Sequence, residues 1–230
     1  ATPKEFYAQR TGLRAGRYAW NDRDECSVAH PIKTYFEDPA WRNFARQLYE
    51  SSIVLASNPQ RVLPLRDILD RQFKIFQYGA PVTDFTEQFD KYATAETSYI
   101  QAYSECNELP TLREKHLRDA TVVLTINKEN LDTTLCHDWV TSVNKLSKKI
   151  TIVVVNYGDP LNLKDFAPTV ACIQAMQPHP VLQSLTAQLI FGGTTAEGQL
   201  PMEVAPHLPF GVSNPSPIVR LKYTVPAEVG

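Results

Sequence analysis

Six consecutive residues, Ile150-Thr151-Ile152-Val153-Val154-Val155, constrain the fold of this chain more than any other stretch. β-Branched side chains on both sides of the backbone suit a strand buried on both faces, and such strands belong to parallel sheets covered by helices. Asn156-Tyr157-Gly158-Asp159-Pro160 ends the run with turn residues. A second short apolar run, Val170 to Met176, reads as the next strand, closed by Pro178 and Pro180. From Val181 to Phe191 the residues Leu182, Leu185, Leu189 and Ile190 fall at helical spacing, and Gly192-Gly193 is a natural stop. Strand, turn, strand, helix and glycine turn outline an α/β unit.

The same alternation runs back along the chain. Phe73–Gly79 reads as a strand and Thr83–Tyr92 as an amphipathic helix with Phe85, Phe89 and Tyr92 on one side. Thr97–Ala102 reads as a strand, Leu112–Leu117 as a short helix and Ala120–Ile126 as another buried strand. Trp139, Val143 and Leu146 mark the following helix, with Lys148-Lys149 suited to its C-terminal end. Further upstream, Asp38 can cap and Pro39 is preset for the first turn of a helix in which Trp41, Phe44, Ala45 and Leu48 recur at helical spacing. The Glu50–Asn58 stretch then passes into a short strand. The fold class is α/β, a mainly parallel sheet sandwiched by helices, over residues 38–205. Residues 1–37 read as a linker wrapping from a preceding domain, with enough aromatic residues to be tied down. Pro206, Pro209, Pro215 and Pro217 give 206–230 the composition of a linker to a following domain.

Composition narrows the function by exclusion. A net charge of −2 without a basic run argues against nucleic acid, and no apolar stretch is long enough to span a membrane. The first residue is Ala1, with no signal-peptide pattern, so the N-terminus is expected to be a processed boundary. Cys26, Cys106, Cys136 and Cys172 are scattered and read as free buried thiols. His30, His116, His137, His179 and His207 are isolated; only Cys136-His137 adjoin, so no metal site is expected. Gly192-Gly193-Thr194-Thr195 resembles a phosphate cradle only superficially, lacking the lysine and glycine spacing of one, and suits a helix cap. Ser184 and Ser213 lie in no G-x-S-x-G elbow. No cofactor is expected.

Several strings resemble glycoside hydrolase family 3. Leu189-Ile190-Phe191-Gly192-Gly193-Thr194-Thr195-Ala196-Glu197-Gly198-Gln199-Leu200-Pro201 is similar to a signature near the end of that family's second, α/β-sandwich domain. Val154 to Leu161 is similar to the strand and turn that precede it. Ser52, Ile53, Val54, Leu55, Asn58, Leu63, Pro64 and Leu65 match the opening of the same domain, with Ser57 where a lysine is common. Arg220 to Gly230 resembles the junction to a β-lactamase-like domain in some bacterial members. The resemblance spans roughly residues 38–230. It implies that the chain is the second domain of a β-N-acetylglucosaminidase-type or β-glucosidase-related protein, with partners in an N-terminal barrel, a possible C-terminal β-lactamase-like domain and the parent enzyme's carbohydrate substrate. A periplasmic or otherwise extracytoplasmic location goes with it.

Glycoside hydrolysis requires two carboxyl groups, or an equivalent acid such as an Asp–His pair. The candidates are Glu129 and Asp132, in the loop after the Val122–Ile126 strand, because α/β sheets place ligands beyond strand C-terminal ends. In the N-acetylglucosaminidase branch the resemblance puts the Asp–His pair and the nucleophile on the barrel, so no catalytic residue is expected here. A free-standing carbohydrate- or protein-binding module is the alternative, and a self-sufficient enzyme rests on Glu129 and Asp132 alone. The accessory reading also expects an exposed apolar patch toward the barrel, with Trp20, Tyr35 and Phe36 contributing.

Overall fold

The computed structural model describes residues 39–100, 117, 120–131 and 137–222. The expected cap Asp38, the linker residues Trp20, Tyr35 and Phe36, residues 112–116, Asp132 and the end of the chain from Tyr223 lie outside the described residues. So do Cys26, Cys106, Cys136, His30 and His116.

The described chain begins with α1 (Pro39–Ser52), followed by β1 (Val54–Ser57), β2 (Gln72–Gly79) and α2 (Thr83–Asp90). Next come β3 (Ala95–Ile100), β4 (Ala120–Asn127), α3 (His137–Leu146), β5 (Ile152–Asn156), β6 (Ala171–Gln174) and α4 (Pro180–Phe191). The six strands form one sheet in the order β1-β6-β5-β4-β2-β3. β1 runs antiparallel to β6; every other pairing is parallel. The β-branched runs therefore occupy the middle of the sheet, as the sequence requires, although β5 starts two residues later than its apolar run.

Strand periodicity divides the core in two. Val122, Leu124, Ile126, Ile152 and Val154 face one layer, with Trp139, Val140, Val143 and Leu146 of α3. Val123, Val153, Val155 and Ile173 face the other, with Phe85 and Phe89 of α2 and Leu182, Leu185 and Leu189 of α4. α4 is buried along nearly its whole length, from Leu182 to Phe191, because α1 and α2 flank it above the sheet. It buries Gln183, Thr186 and Gln188 along with its apolar residues.

α1 departs from the simplest reading of its period. Its apolar stripe, Trp41, Phe44 and Leu48, points away from the sheet and is 38%, 48% and 56% exposed. The side facing the body carries Arg46, paired with Glu50 at 3.3 Å, and Tyr49, whose ring stacks on His179 at 4.5 Å.

The proline-bearing segment after Val204 is fastened to the domain. Asn214 donates from its backbone to Leu55 O at 2.9 Å and from its amide to Leu55 O and Ala56 O at 3.0 Å, occupying the outer edge of β1. That removes an open strand edge. Arg220 Nη1 donates to Leu65 O at 2.7 Å and to Phe191 O at 2.6 Å. A guanidinium there meets the unpaired carbonyls and negative dipole end of α4. Tyr92 Oη donates to Leu221 O at 3.0 Å, and Lys222 pairs with Glu50.

Gly192 ends α4 in the left-handed conformation (φ 75°), and its N–H and that of Gly193 close on Leu189 O and Gln188 O. A Cβ at Gly192 would come within 2.6 Å of Val219 and 2.8 Å of Pro64. Gly192→Ala should therefore lower stability by at least about 1 kcal/mol in urea melts, through strain and collision together. Val154→Asp places an unpaired charge in a fully buried position and should abolish the folded state. A soluble Val154→Asp protein with a cooperative melt would show that β5 is not central.

Candidate functional site

Ligands of α/β sheets bind beyond the C-terminal ends of the strands, at the point where the direction of strand addition reverses. Here that point lies between β2 and β4: β3 adds on one side of β2, and β4, β5 and β6 follow on the other. The crevice is stitched shut. Ala80 N–H donates to Asn127 O at 3.3 Å, and Asn127 Nδ2 donates back to Ala80 O at 2.9 Å.

Beyond β4, β5 and β6 three buried carboxamides join the strand ends. Asn156 is the last residue of β5 and Gln174 the last of β6; both are fully buried, and Asn162, in the turn Pro160–Leu163, is nearly so. Asn156 Nδ2 donates to Gln174 Oε1 at 2.6 Å and to Asp159 O at 2.8 Å. Gln174 Nε2 donates to Gly158 O at 2.8 Å. Asn162 Nδ2 donates to Asn156 Oδ1 at 3.1 Å and to Lys128 O at 3.1 Å, while Asn162 Oδ1 accepts from Leu131 N at 2.6 Å. Every carboxamide spends its donors and acceptors on protein atoms. The loops after β4 and β5 are held to each other and to the end of β6.

Above this network lies an open cleft of about 480 Å³ lined by Lys128, Glu129, Tyr157, Asp159, Met176 and Gln177, among others. Glu129 stands exposed on its rim. Its backbone is fixed, since Glu129 O accepts from Asp159 N at 2.8 Å. Asp159, which sequence reasoning treated only as a turn residue, is the second described carboxylate of the cleft; its Oδ1 accepts from Leu161 N at 2.8 Å and caps the Pro160–Leu163 turn. Asp132 lies outside the described residues.

Burial perturbs two titratable groups, neither of them a carboxylate of the rim. Burial pushes the Cys172 thiol up to about 12. Tyr157 is raised well above its ordinary range, first by burial and then by Asp84, against a lowering hydrogen bond with Thr186 at 2.6 Å. Both sit in the core as neutral groups, without a cationic or basic partner to activate them. His179 caps α4, its Nδ1 accepting from Val181 N at 3.3 Å. Among the described residues no three His, Cys, Asp or Glu side chains cluster as metal ligands. No helix among the described residues is long and apolar enough to cross a membrane. The Gly192-Gly193 turn offers no anion cradle, because both N–H groups are used by the helix cap.

No family model matches the chain, and no curated protein matches it at the level of significance applied. Solved structures do. A fungal multi-domain GH3 β-N-acetylglucosaminidase, described with a GCN5-related glucosamine N-acetyltransferase region, superposes with a TM-score of 0.61 at 16% identity, over 88% of this chain and 25% of that one. A glycoside hydrolase family 3 β-N-acetylglucosaminidase from Paenibacillus sp. str. FPU-7 gives 0.51 at 16% identity, over 90% and 38%. The β-glucoside phosphorylase BglX gives 0.52 at 16% identity, over 71% and 32%. At this identity the likeness shows the fold, a helix-flanked α/β sheet. This chain spans 25% to 38% of the length of those proteins.

The carboxamide network makes a measurable distinction. Asn156→Ala strands the buried Gln174 Oε1 and takes one partner each from Asp159 O and Asn162 Nδ2, and should cost about 2 kcal/mol in urea melts. Glu129→Ala, at the exposed rim, should stay within about 0.5 kcal/mol of the parent.

Proposed function

We propose that this chain is the second, α/β-sandwich domain of a glycoside hydrolase family 3 protein of β-N-acetylglucosaminidase type, serving as a non-catalytic partner to a barrel that carries the reacting groups. The observation that carries this reading is the use made of the strand ends. Where an α/β enzyme of this topology would keep polar groups free for a ligand, Asn127, Asn156, Asn162 and Gln174 are bonded to their own loops. The fold shared with family 3 enzymes supports it, as do the strings around Ser52–Leu65 and Leu189–Pro201. Such a domain packs on the barrel, forms one wall of the carbohydrate cleft through the rim of Lys128, Glu129 and Asp159, and orients a neighbour, for which the resemblance of Arg220 to Gly230 suggests a β-lactamase-like domain.

A free-standing α/β binding module is the second reading, favoured by one observation: the cleft beside Glu129 and Asp159 is open and of a size to take a sugar ring. The two separate on catalysis and binding. Purified 1–230 should not hydrolyse aryl β-glucosides or aryl β-N-acetylglucosaminides, because the charge that meets an oxocarbenium-like transition state must be prepositioned, and this reading puts it on the barrel. Turnover that disappears in Glu129→Gln would overturn the accessory reading and make Glu129 the acid. Saturable binding of a monosaccharide to 1–230 by calorimetry, without turnover, would favour the binding module.

A further inference from the structure

The chain leaves β6 through a strained turn. Met176 has φ 62°, a conformation that a residue with a Cβ enters only at a cost, and Gln177 N donates to Ala175 O across it at 2.7 Å. A hydrogen bond spanning one residue of positive φ makes a γ-turn of the rare, strained kind. Strain of this sort persists only where the surroundings hold it. On one side Ala175 N donates to Asn156 O at 2.8 Å. On the other, Gln183 Nε2 reaches back from α4 to Pro178 O at 3.0 Å, and His179 caps that helix.

The third fastening is the Met176 side chain. Gln174 Nε2 carries two protons: one goes to Gly158 O at 2.8 Å, the other to Met176 Sδ at 3.6 Å. The carboxamide network of the strand ends therefore closes on a thioether, a weak acceptor. Met176 is only partly buried; it packs against the α3 layer of the core and lines the open cleft beside Asp159. A small solute in that cleft meets this side chain. Oxidation of a thioether requires no ionisation, whereas a thiol reacts as its thiolate, and Cys172 is fully buried.

We propose that Met176 is an oxidation-sensitive latch between β6 and α4, with a hydroperoxide as its co-reactant. A sulfur lone pair attacks a peroxide oxygen and the O–O bond breaks. Sulfur gains the oxygen and gives up two electrons; the rest of the peroxide leaves as water or an alcohol. An oxygen added on the Gln174 side would collide with Nε2, and the polar sulfoxide no longer suits the apolar seat against the α3 layer. The turn loses the contact that holds its strain, and residues 176–179 move off the cleft wall. Enzymatic reduction of the sulfoxide reverses the change. The inference is independent of the glycosidase reading.

The test uses the intact chain 1–230, which contains two methionines. Met202→Leu leaves Met176 as its thioether, and Met176→Leu/Met202→Leu is the control, whose cysteines meet the same treatment. After dilute hydrogen peroxide, mass spectrometry should find one added oxygen on the Met176 peptide of Met202→Leu. Relative to the untreated protein, amide exchange across 177–183 should quicken about tenfold, the scale of one lost buried hydrogen bond, and return on reduction by methionine sulfoxide reductases. The control should not change. Met176 remaining a thioether under conditions that oxidise Met202 in the parent would overturn the proposal. So would a Met176 sulfoxide with unchanged exchange at 177–183, a quickening that reduction does not reverse, or an equal quickening in the control, which would trace the effect to the cysteines.

Discussion

Asn156 is the residue on which the functional end of this sheet depends. A parallel sheet delivers several loops to one edge, and each brings backbone groups that must find partners. Asn156 ties the loop after β5 to the end of β6: its amide reaches Gln174 and Asp159, and its oxygen accepts from Gly158 N and Asn162, which in turn bonds the loop after β4. A buried amide without partners costs about 1–3 kcal/mol. The same amide fully bonded gains less than that, so the value of the network lies in specifying one arrangement rather than in raw stability. The loops after β4 and β5 cannot move apart without breaking several of these bonds together. That is how a rigid wall is built, and it leaves little freedom for a lid.

The strings that resemble family 3 perform the same kind of work. Asn58 brackets a short loop by exchanging hydrogen bonds with Leu63, both at 3.0 Å, which sets Leu63 and Leu65 into the core. Gly192 caps α4, and Gly198 lies so close to Ile53 that a Cβ would stand 2.7 Å from its carbonyl oxygen. Leu200 is fully buried. Each position is constrained by backbone conformation, close approach or burial, and none presents a reactive group. A recurring string of this sort therefore speaks for the shape of a domain before it speaks for chemistry.

What could be read from the sequence follows the same division. The central strands were legible because burial on both faces leaves a continuous β-branched run, and α4 because Leu182, Leu185, Leu189 and Ile190 recur at helical spacing. β3 was legible only in part: Ala95-Glu96-Thr97-Ser98 is an edge strand whose half-exposed residues weaken the pattern, so its start was placed two residues late. The period of α1 was legible but not its direction, since that is set by Glu50 meeting Lys222 and Tyr49 meeting His179. The carboxamides escaped notice because their partners lie up to 34 residues away and amides in turns look like ordinary turn residues. A signal was present: Asn156 and Gln174 each stand at the C-terminal end of an apolar run, where a polar residue has no reason to be buried unless it is bonded.

The tail shows why proline content alone is a poor guide to looseness. Prolines forbid regular pairing, but side chains can still anchor such a segment, and the strength of each anchor differs. Lys222 with Glu50 is a partly exposed pair, worth at most about 1 kcal/mol. Arg220 is held by two carbonyl oxygens, those of Leu65 and Phe191, whose sequence separations of 155 and 29 residues span most of the domain. Charge-assisted bonds to groups a helix end cannot otherwise satisfy contribute more than the surface pair. The exit of the chain is therefore fixed at the C-terminal end of α4, the helix against which α1 also packs. Both ends of the described chain, α1 and the segment reaching Lys222, are thus referred to one buried helix.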